Sequence, residues 1–261
     1  MTCKAKAKNT NQQELARMLG QLSLTAAAGQ ISRLLADAAK QECSYSSFLK
    51  QVLKIEINGR FQRKLTRSIK RAKLGSTMSL DEFDFSVRHK LSPAAVKELL
   101  DCQWIREGRN IICVGRPGTG KTHVAKALGH AACMKGLVVY YLTAAEILEQ
   151  MHAALADNTY QKVFRRYTRA DLLIAEELGY LPLDKQKADY LFRLVSTRHP
   201  HRAMIVTANT GFENWGNFFP SKAQAVATID RLVDRATTLR FTGKSFRKPK
   251  DIQGADLEDD K

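Results

Sequence analysis

The sequence predicts an α/β domain built on a parallel sheet with flanking helices, preceded by a small all-helical N-terminal domain. Three observations lead there. Gly115-Arg116-Pro117-Gly118-Thr119-Gly120-Lys121-Thr122 fits the phosphate-loop pattern G-x-x-x-x-G-K-[ST] at every fixed position, between a strand-length apolar run, 110–114, and a helical run, 122–134. Downstream, apolar runs of strand length alternate with helix-length segments, as in a parallel sheet covered on both faces. Upstream, apolar residues recur at helical spacing and the charge changes: residues 1–77 hold 15 Lys and Arg against 4 Asp and Glu, a net +11 of the chain's +16.

In chain order, residues 1–9 are Lys-rich and polar and are expected to be disordered. From Gln12 to about Ala39, Leu15, Met18, Leu19, Leu22, Ile31, Leu34, Leu35 and Ala38 mark amphipathic helices. Another helix is expected to open with Ser46 or Ser47 as its cap and to run through Phe48, Leu49, Val52, Leu53 and Ile55, with Gly59 a break or bend. The most basic tract follows: Arg60, Arg63, Lys64, Arg67, Lys70, Arg71 and Lys73, with Phe61, Leu65 and Ile69 at four-residue steps among them. On a helix this makes a broad basic face with a narrow apolar seam. It suits the phosphates of nucleic acid, and no base-reading pattern accompanies it, so binding is expected to be sequence-independent and salt-sensitive.

Gly75-Ser76-Thr77 breaks this pattern, and the acidic, aromatic segment 80–85 reads as a linker whose phenylalanines pin it to the next domain. A helix over 93–101 starts at Pro93, and Trp104-Ile105 precedes the first strand, either as ordinary packing or near an adenine ring. After the loop come a strand over 137–142, a helix opened by a Thr143/Glu146 capping box, and a helix over 159–168 whose Lys162, Arg165 and Arg166, with Arg169, form a second basic patch. Then follow a strand over 172–175 ending in Glu176-Glu177, a helix over 187–198, a strand over 203–207 ending at Asn209, and a helix over 223–236. In such sheets ligands sit at the carboxyl ends of the strands, where the loop, Glu176, Glu177 and Asn209 converge.

Nucleotide hydrolysis needs the phosphates held, a Mg2+ ion, an oriented water and positive charge at the transition state. Inward-facing amides of the loop and Lys121 would hold the phosphates of a nucleotide, and the Thr122 hydroxyl with Glu176 would hold Mg2+. Glu177 would polarise the water, and Asn209 would bond that water or the terminal phosphate. Arg231 or Arg235, one turn apart on the same predicted helix, would supply an arginine finger to a neighbouring subunit.

Composition narrows the setting. The five cysteines are odd in number and scattered, without a C-x-x-C pair, which argues for reduced thiols in a cytoplasmic protein rather than a disulfide frame or zinc site. No run approaches membrane-spanning length, and the Ala/Leu-rich stretch 19–28 is interrupted by Gln21 and Ser23, unlike a secretory leader. The partner expected of the basic N-terminal field is therefore a nucleic acid rather than a membrane.

Several segments, taken in this order, carry a resemblance: Ser44-Tyr45 with Phe48-Leu49, the 80–85 linker, Gly118 to His123, Leu178-Gly179-Tyr180-Leu181-Pro182, Asn209, Asp230-Arg231-Leu232, and Gly243 to Arg247. In these the chain resembles the IstB family, AAA+ ATPase partners of transposases in two-gene bacterial insertion sequences, close to the DnaC helicase loaders. The resemblance implies an AAA+ P-loop NTPase that forms homo-oligomers on duplex DNA with ATP, selects target sites, and recruits and stimulates a transposase. It adds His123 to the nucleotide-binding set and makes Arg231 the arginine finger, with Arg247 a second-sensor arginine or the end of the last strand region. It divides the chain into a basic DNA- or partner-binding domain (1–77), a linker with lead-in helix (78–108), the ATPase domain (109–250) and an acidic disordered tail (251–261). One departure stands out: Glu176 occupies the position of the family's metal-site aspartate, after Ala175 where a larger apolar residue is usual, so slow hydrolysis is expected. A DnaC-like loader differs in its helicase partner and its preference for single strands. A nucleotide-switched DNA scaffold with little hydrolysis is the remaining alternative.

Overall fold

A computed structural model of the chain describes residues 3–75, 78–85, 91–180, 182–243 and 245. Leu181, Lys244, Phe246, Arg247 and the acidic residues of 251–261 lie outside the described residues. By its contacts the chain divides into two compact units, 1–67 and 68–261.

The first unit holds α1 (Cys3–Gln21), α2 (Thr25–Lys40) and most of α3 (Tyr45–Ala72). Its core is Ala27, Ile31, Leu34 and Val52, flanked by Leu19, Leu24, Leu35, Phe48 and Ile55; all but Ala27 and Leu24 were marked by helical spacing, whereas Leu15, Met18, Leu22, Leu49 and Leu53, marked likewise, are exposed. Three expectations change. Helix begins at Cys3, so 3–9 are not a disordered start; Lys and Ala are strong helix formers and continue the helix backwards. The cap of α3 is Ser44, whose Oγ accepts from the Ser47 amide at 3.3 Å, because the turn closes one residue before Tyr45 rather than at Ser46 or Ser47. Gly59 does not break the helix: α3 runs through it for 28 residues. A Cβ at Gly59 would lie 2.3 Å from the Ala26 Cβ, so the glycine serves the close approach of α2 and α3. Lys73 lies just past the helix with φ +59.

The second unit is organised by a five-stranded sheet of β1 (Ile111–Gly115), β2 (Val139–Thr143), β3 (Leu172–Glu176), β4 (Ala203–Ala208) and β5 (Thr237–Phe241). Their order is β2-β3-β4-β1-β5, and every pairing is parallel. β1, β3 and β4 are almost wholly buried, which is why they read as unbroken apolar runs. Ahead of the sheet are α4 (Pro93–Glu98), capped by Ser92, and α5 (Gln103–Arg106). The expected single helix over 93–101 ends instead in a 3-10 turn over 99–101. Trp104 is buried and its Nε1 donates to the Leu99 carbonyl at 2.9 Å, so this indole is packing.

The connections are α6 (Lys121–Met134), α7 (Ala144–Ala153), α8 (Tyr160–Arg169), α9 (Lys185–Arg198) and α10 (Lys222–Val233). The capping box forms as expected: Thr143 Oγ1 accepts from the Glu146 amide at 3.0 Å and Glu146 Oε2 from the Thr143 amide at 2.8 Å. The helix expected over 223–236 stops at Val233, and Arg235 sits beyond it with φ +56; Arg231 and Arg235 therefore do not share a helix face. A 3-10 stretch, 212–218, buries Trp215 between β4 and α10 in the chain.

The α2–α3 approach sets a test. Gly59→Ala gains helix propensity of about 1 kcal/mol but overpacks the crossing by about 1–3 kcal/mol. Thermal unfolding should show a lowered midpoint for Gly59→Ala, recovered in the double variant with Ala26→Gly; a stabilised single variant would refute the close-approach account.

Candidate functional site

The loop after β1 curls around its own lysine. Lys121, the first residue of α6 and 7% exposed, donates from Nζ to the Gly115 carbonyl at 2.6 Å and the Arg116 carbonyl at 2.9 Å. Thr119 closes the loop, its buried hydroxyl donating to the Arg116 carbonyl at 2.7 Å. Gly120 has φ +94, and a Cβ there would stand 2.5 Å from the Phe83 ring, so both backbone and neighbour require glycine. Pro117 occupies the turn between Arg116 and Gly118, and Thr122 is half-buried in the first turn of α6. The amino end of this helix, at the positive end of its dipole, is a ready anion site.

The strap before the domain lies on this loop. Ser79 caps the turn 80–82, Phe83 is buried, and its ring is 5.4 Å from the His123 ring and 6.4 Å from that of Phe241. His123 Nε2 donates to the Ser79 carbonyl at 2.7 Å. Glu82, Phe83 and Asp84 together with residues 118–123 enclose a cavity of about 340 Å3. The expected pinning of the linker thus holds for Phe83, while Phe85 is half-buried against it. Sequence reasoning missed that the pin rests on the phosphate loop itself, since no spacing links residue 83 to residue 120.

Glu176 ends β3 and is 5% exposed. Its Oε2 accepts from the Tyr141 hydroxyl at 2.6 Å, and its Oε1 is buried with no hydrogen-bond partner among the described residues. An orphaned carboxylate oxygen is costly without a cation or donor, so the residues fit a divalent ion held by Glu176 and the Thr122 hydroxyl. The Cys113 thiol on β1 is pushed up to about 12 by burial and then by Glu176, and is pulled down by Lys121. Both charges therefore act on one group in the middle of the sheet.

Glu177 is exposed, with φ +57, and its amide donates to Thr207 Oγ1 at 3.0 Å. Asn209 is half-buried and follows Ala208, which pairs with Val114, so it stands beside the start of the loop. The structure thus gathers the loop, Glu176, Glu177 and Asn209 at one end of the sheet. Arg231 is elsewhere: its guanidinium lies 5.2 Å from the Phe192 ring on α9 and donates from Nη1 to the Ala227 carbonyl at 2.7 Å, and it does not line the loop cavity.

Of the basic tract on α3, Arg60 and Arg63 are not free cations. Both pair with Glu56 Oε1, at 3.0 and 2.9 Å, while Glu56 Oε2 accepts from the Ala26 and Ala27 amides at the start of α2. Burial would raise this carboxyl, but Arg60, the Ala27 amide, Arg63 and the Ala26 amide outweigh it and hold it at about 2. Glu56 is the sole acidic residue between Glu42 and Asp81, a signal the sequence did contain. Lys64 and Arg67 in the first unit, and Lys70, Arg71 and Lys73 in the second, are exposed and form no ion pair among the described residues. Lys162, Arg165, Arg166 and Arg169 are exposed along α8.

The chain matches, over residues 17–254, the family described as IstB-like ATP binding protein. It is 34% identical over 90% of its length to a Pseudomonas aeruginosa protein named as the ATP-binding protein of insertion sequence IS21, covering 88% of that protein. It is 33% identical over 80% of its length to a Geobacillus stearothermophilus protein similarly named for insertion sequence IS5376, covering 84% of it. Among solved structures, AMPPCP-bound DnaA from Aquifex aeolicus superposes with a TM-score of 0.53 at 21% identity, over 63% of this chain and 50% of that one. That likeness concerns the fold alone: the second unit has the five-stranded parallel sheet and phosphate loop of an AAA+ fold.

The Glu56 cluster carries a pH test. A carboxyl depressed from 4.5 to about 2 contributes stability that is complete above pH 4.5 and is lost as pH falls towards 2. Glu56→Gln should lower the stability of the N-terminal helices at neutral pH and flatten its fall between those values. Acid titration followed by circular dichroism reads both.

Proposed function

The chain belongs to the IstB-like ATP-binding protein family, and we propose that it is an ATP-driven assembly factor of an insertion sequence. It forms homo-oligomers on duplex DNA and recruits and stimulates a transposase. The carrying observation is that one chain joins a phosphate loop to exposed cations that form no ion pair among the described residues, Lys64, Arg67, Lys70, Arg71 and Lys73. These, with a smaller share from Arg60 and Arg63, meet DNA phosphates without regard to sequence.

In this reading residues 115–123 bind ATP, with Lys121 on the outer phosphates. Thr122 and Glu176 hold Mg2+, which when bound offsets phosphate charge. Glu177 takes the proton side of an attacking water, Asn209 orients that water or the terminal phosphate, and Arg231 reaches the ATP of a neighbouring subunit. The position of Arg231 outside its own loop cavity supports that last assignment. A second reading, a nucleotide-switched scaffold with little turnover, is favoured by one observation, the Glu176 carboxylate tied to Tyr141. Glu176→Asp separates the two, because turnover should rise sharply only if Glu176 limits it.

Particle size measured on duplex DNA tests the main reading. ATP should drive large DNA-bound assemblies, abolished by Lys121→Ala and by raised salt. Each of Lys64→Ala, Arg67→Ala and Lys70→Ala should reduce the slope of log affinity against log salt by about 0.9. A protein that stays monomeric with ATP and ignores duplex DNA would refute it.

A further inference from the structure

Tyr141 and Glu176 sit on neighbouring strands. Tyr141 pairs with Ile174 and Thr143 with Glu176, so Tyr141 is the diagonal neighbour of Glu176 on one face of the sheet. The tyrosine is long enough to span that diagonal, and its hydroxyl donates to Glu176 Oε2 at 2.6 Å. The ring is itself fixed from above, with Lys126 Nζ of α6 4.8 Å from its centroid.

A glutamate at a strand end has one more torsion than an aspartate, and its carboxylate would sample several positions. Here one oxygen is tied and the other is buried without a partner among the described residues. The phenolic O–H of Tyr141 is the donor of this bond. A charge-assisted hydrogen bond of this length orients the carboxylate strongly.

We propose that Tyr141 is a positioning residue for Glu176: its hydroxyl anchors Oε2 and thereby presents Oε1 to the divalent cation that accompanies the nucleotide. This rests on the reading of Glu176 as the metal-holding acid. The arrangement makes Tyr141 and the glutamate a matched pair, because shortening the acid by one methylene takes it out of reach of the hydroxyl. Tyr141 touches neither nucleotide nor water in this role.

The test is the affinity of the full-length protein for a fluorescent ATP analogue, measured with Mg2+ and with EDTA, for Tyr141→Phe, Glu176→Gln, Glu176→Asp and the double variant Tyr141→Phe/Glu176→Asp. Affinity in EDTA should be unchanged by Tyr141→Phe, while the gain conferred by Mg2+ should fall about tenfold. Glu176→Gln should lose the same gain, and in the Glu176→Asp background Tyr141→Phe should add less than about twofold. If Glu176→Gln loses the Mg2+ gain but Tyr141→Phe keeps it, the positioning role is overturned and the reading of Glu176 survives. If Glu176→Gln keeps the gain, both fall. An equal loss from Tyr141→Phe in either background, or lost affinity in EDTA, would mean that Tyr141 acts otherwise than through Glu176 and would also overturn the proposal.

Discussion

The parallel ladder around β1 is the constraint on which the second unit depends. β1 is paired on both sides, to β4 and β5, and is buried over nearly its whole length. Such a strand is lined by apolar side chains, and it meets a ligand at its carboxyl end. There the backbone turns sharply into α6, and the turn is held from inside by Lys121 and from outside by Phe83. Because β3 and β4 run parallel to β1, their carboxyl ends arrive at the same edge, which is what places Glu176, Glu177 and Asn209 near the loop.

Two buried polar side chains, Arg198 and Asn110, tie this frame together. Arg198, 1% exposed, donates to the carbonyls of Tyr167, Ala170 and Ala203, joining the end of α8 to the start of β4. Burial, then Arg202, lower its pKa to about 9, against Asp171 which raises it. Asn110 bridges the entry of β1, donating to the Leu232 carbonyl and accepting from the Met204 amide. These contacts tie strand starts, away from the loop, and secure the register on which the other end depends. Glu176, at the carboxyl end of β3, keeps one carboxylate oxygen without a hydrogen-bond partner among the described residues.

The N-terminal unit solves a different problem. Its helices bring a dense basic tract together, and Glu56 removes part of the resulting repulsion by binding Arg60 and Arg63 while closing the open end of α2. A single carboxylate thus sets which cations of the tract are paired. Lys64, Arg67, Lys70, Arg71 and Lys73 are left exposed to solvent.

The phosphate loop, the buried strands, the capping box at Thr143 and the amphipathic helices were all legible from residue type and period, because they depend on neighbours close in sequence. The apolar stretches at β1, β3 and β4 likewise announced a sheet covered on both faces. Tertiary structure alone decided the partners across long separations: Phe83 on Gly120, Tyr141 on Glu176, Thr207 on the Glu177 amide, and Glu56 on α2. It also ended α10 before Arg235 and carried α3 through Gly59, against local propensity. The physical reason is the same throughout. Propensity and periodicity report how a residue fits its own element, whereas burial, orphaned oxygens and close approaches arise only when elements from distant parts of the chain meet.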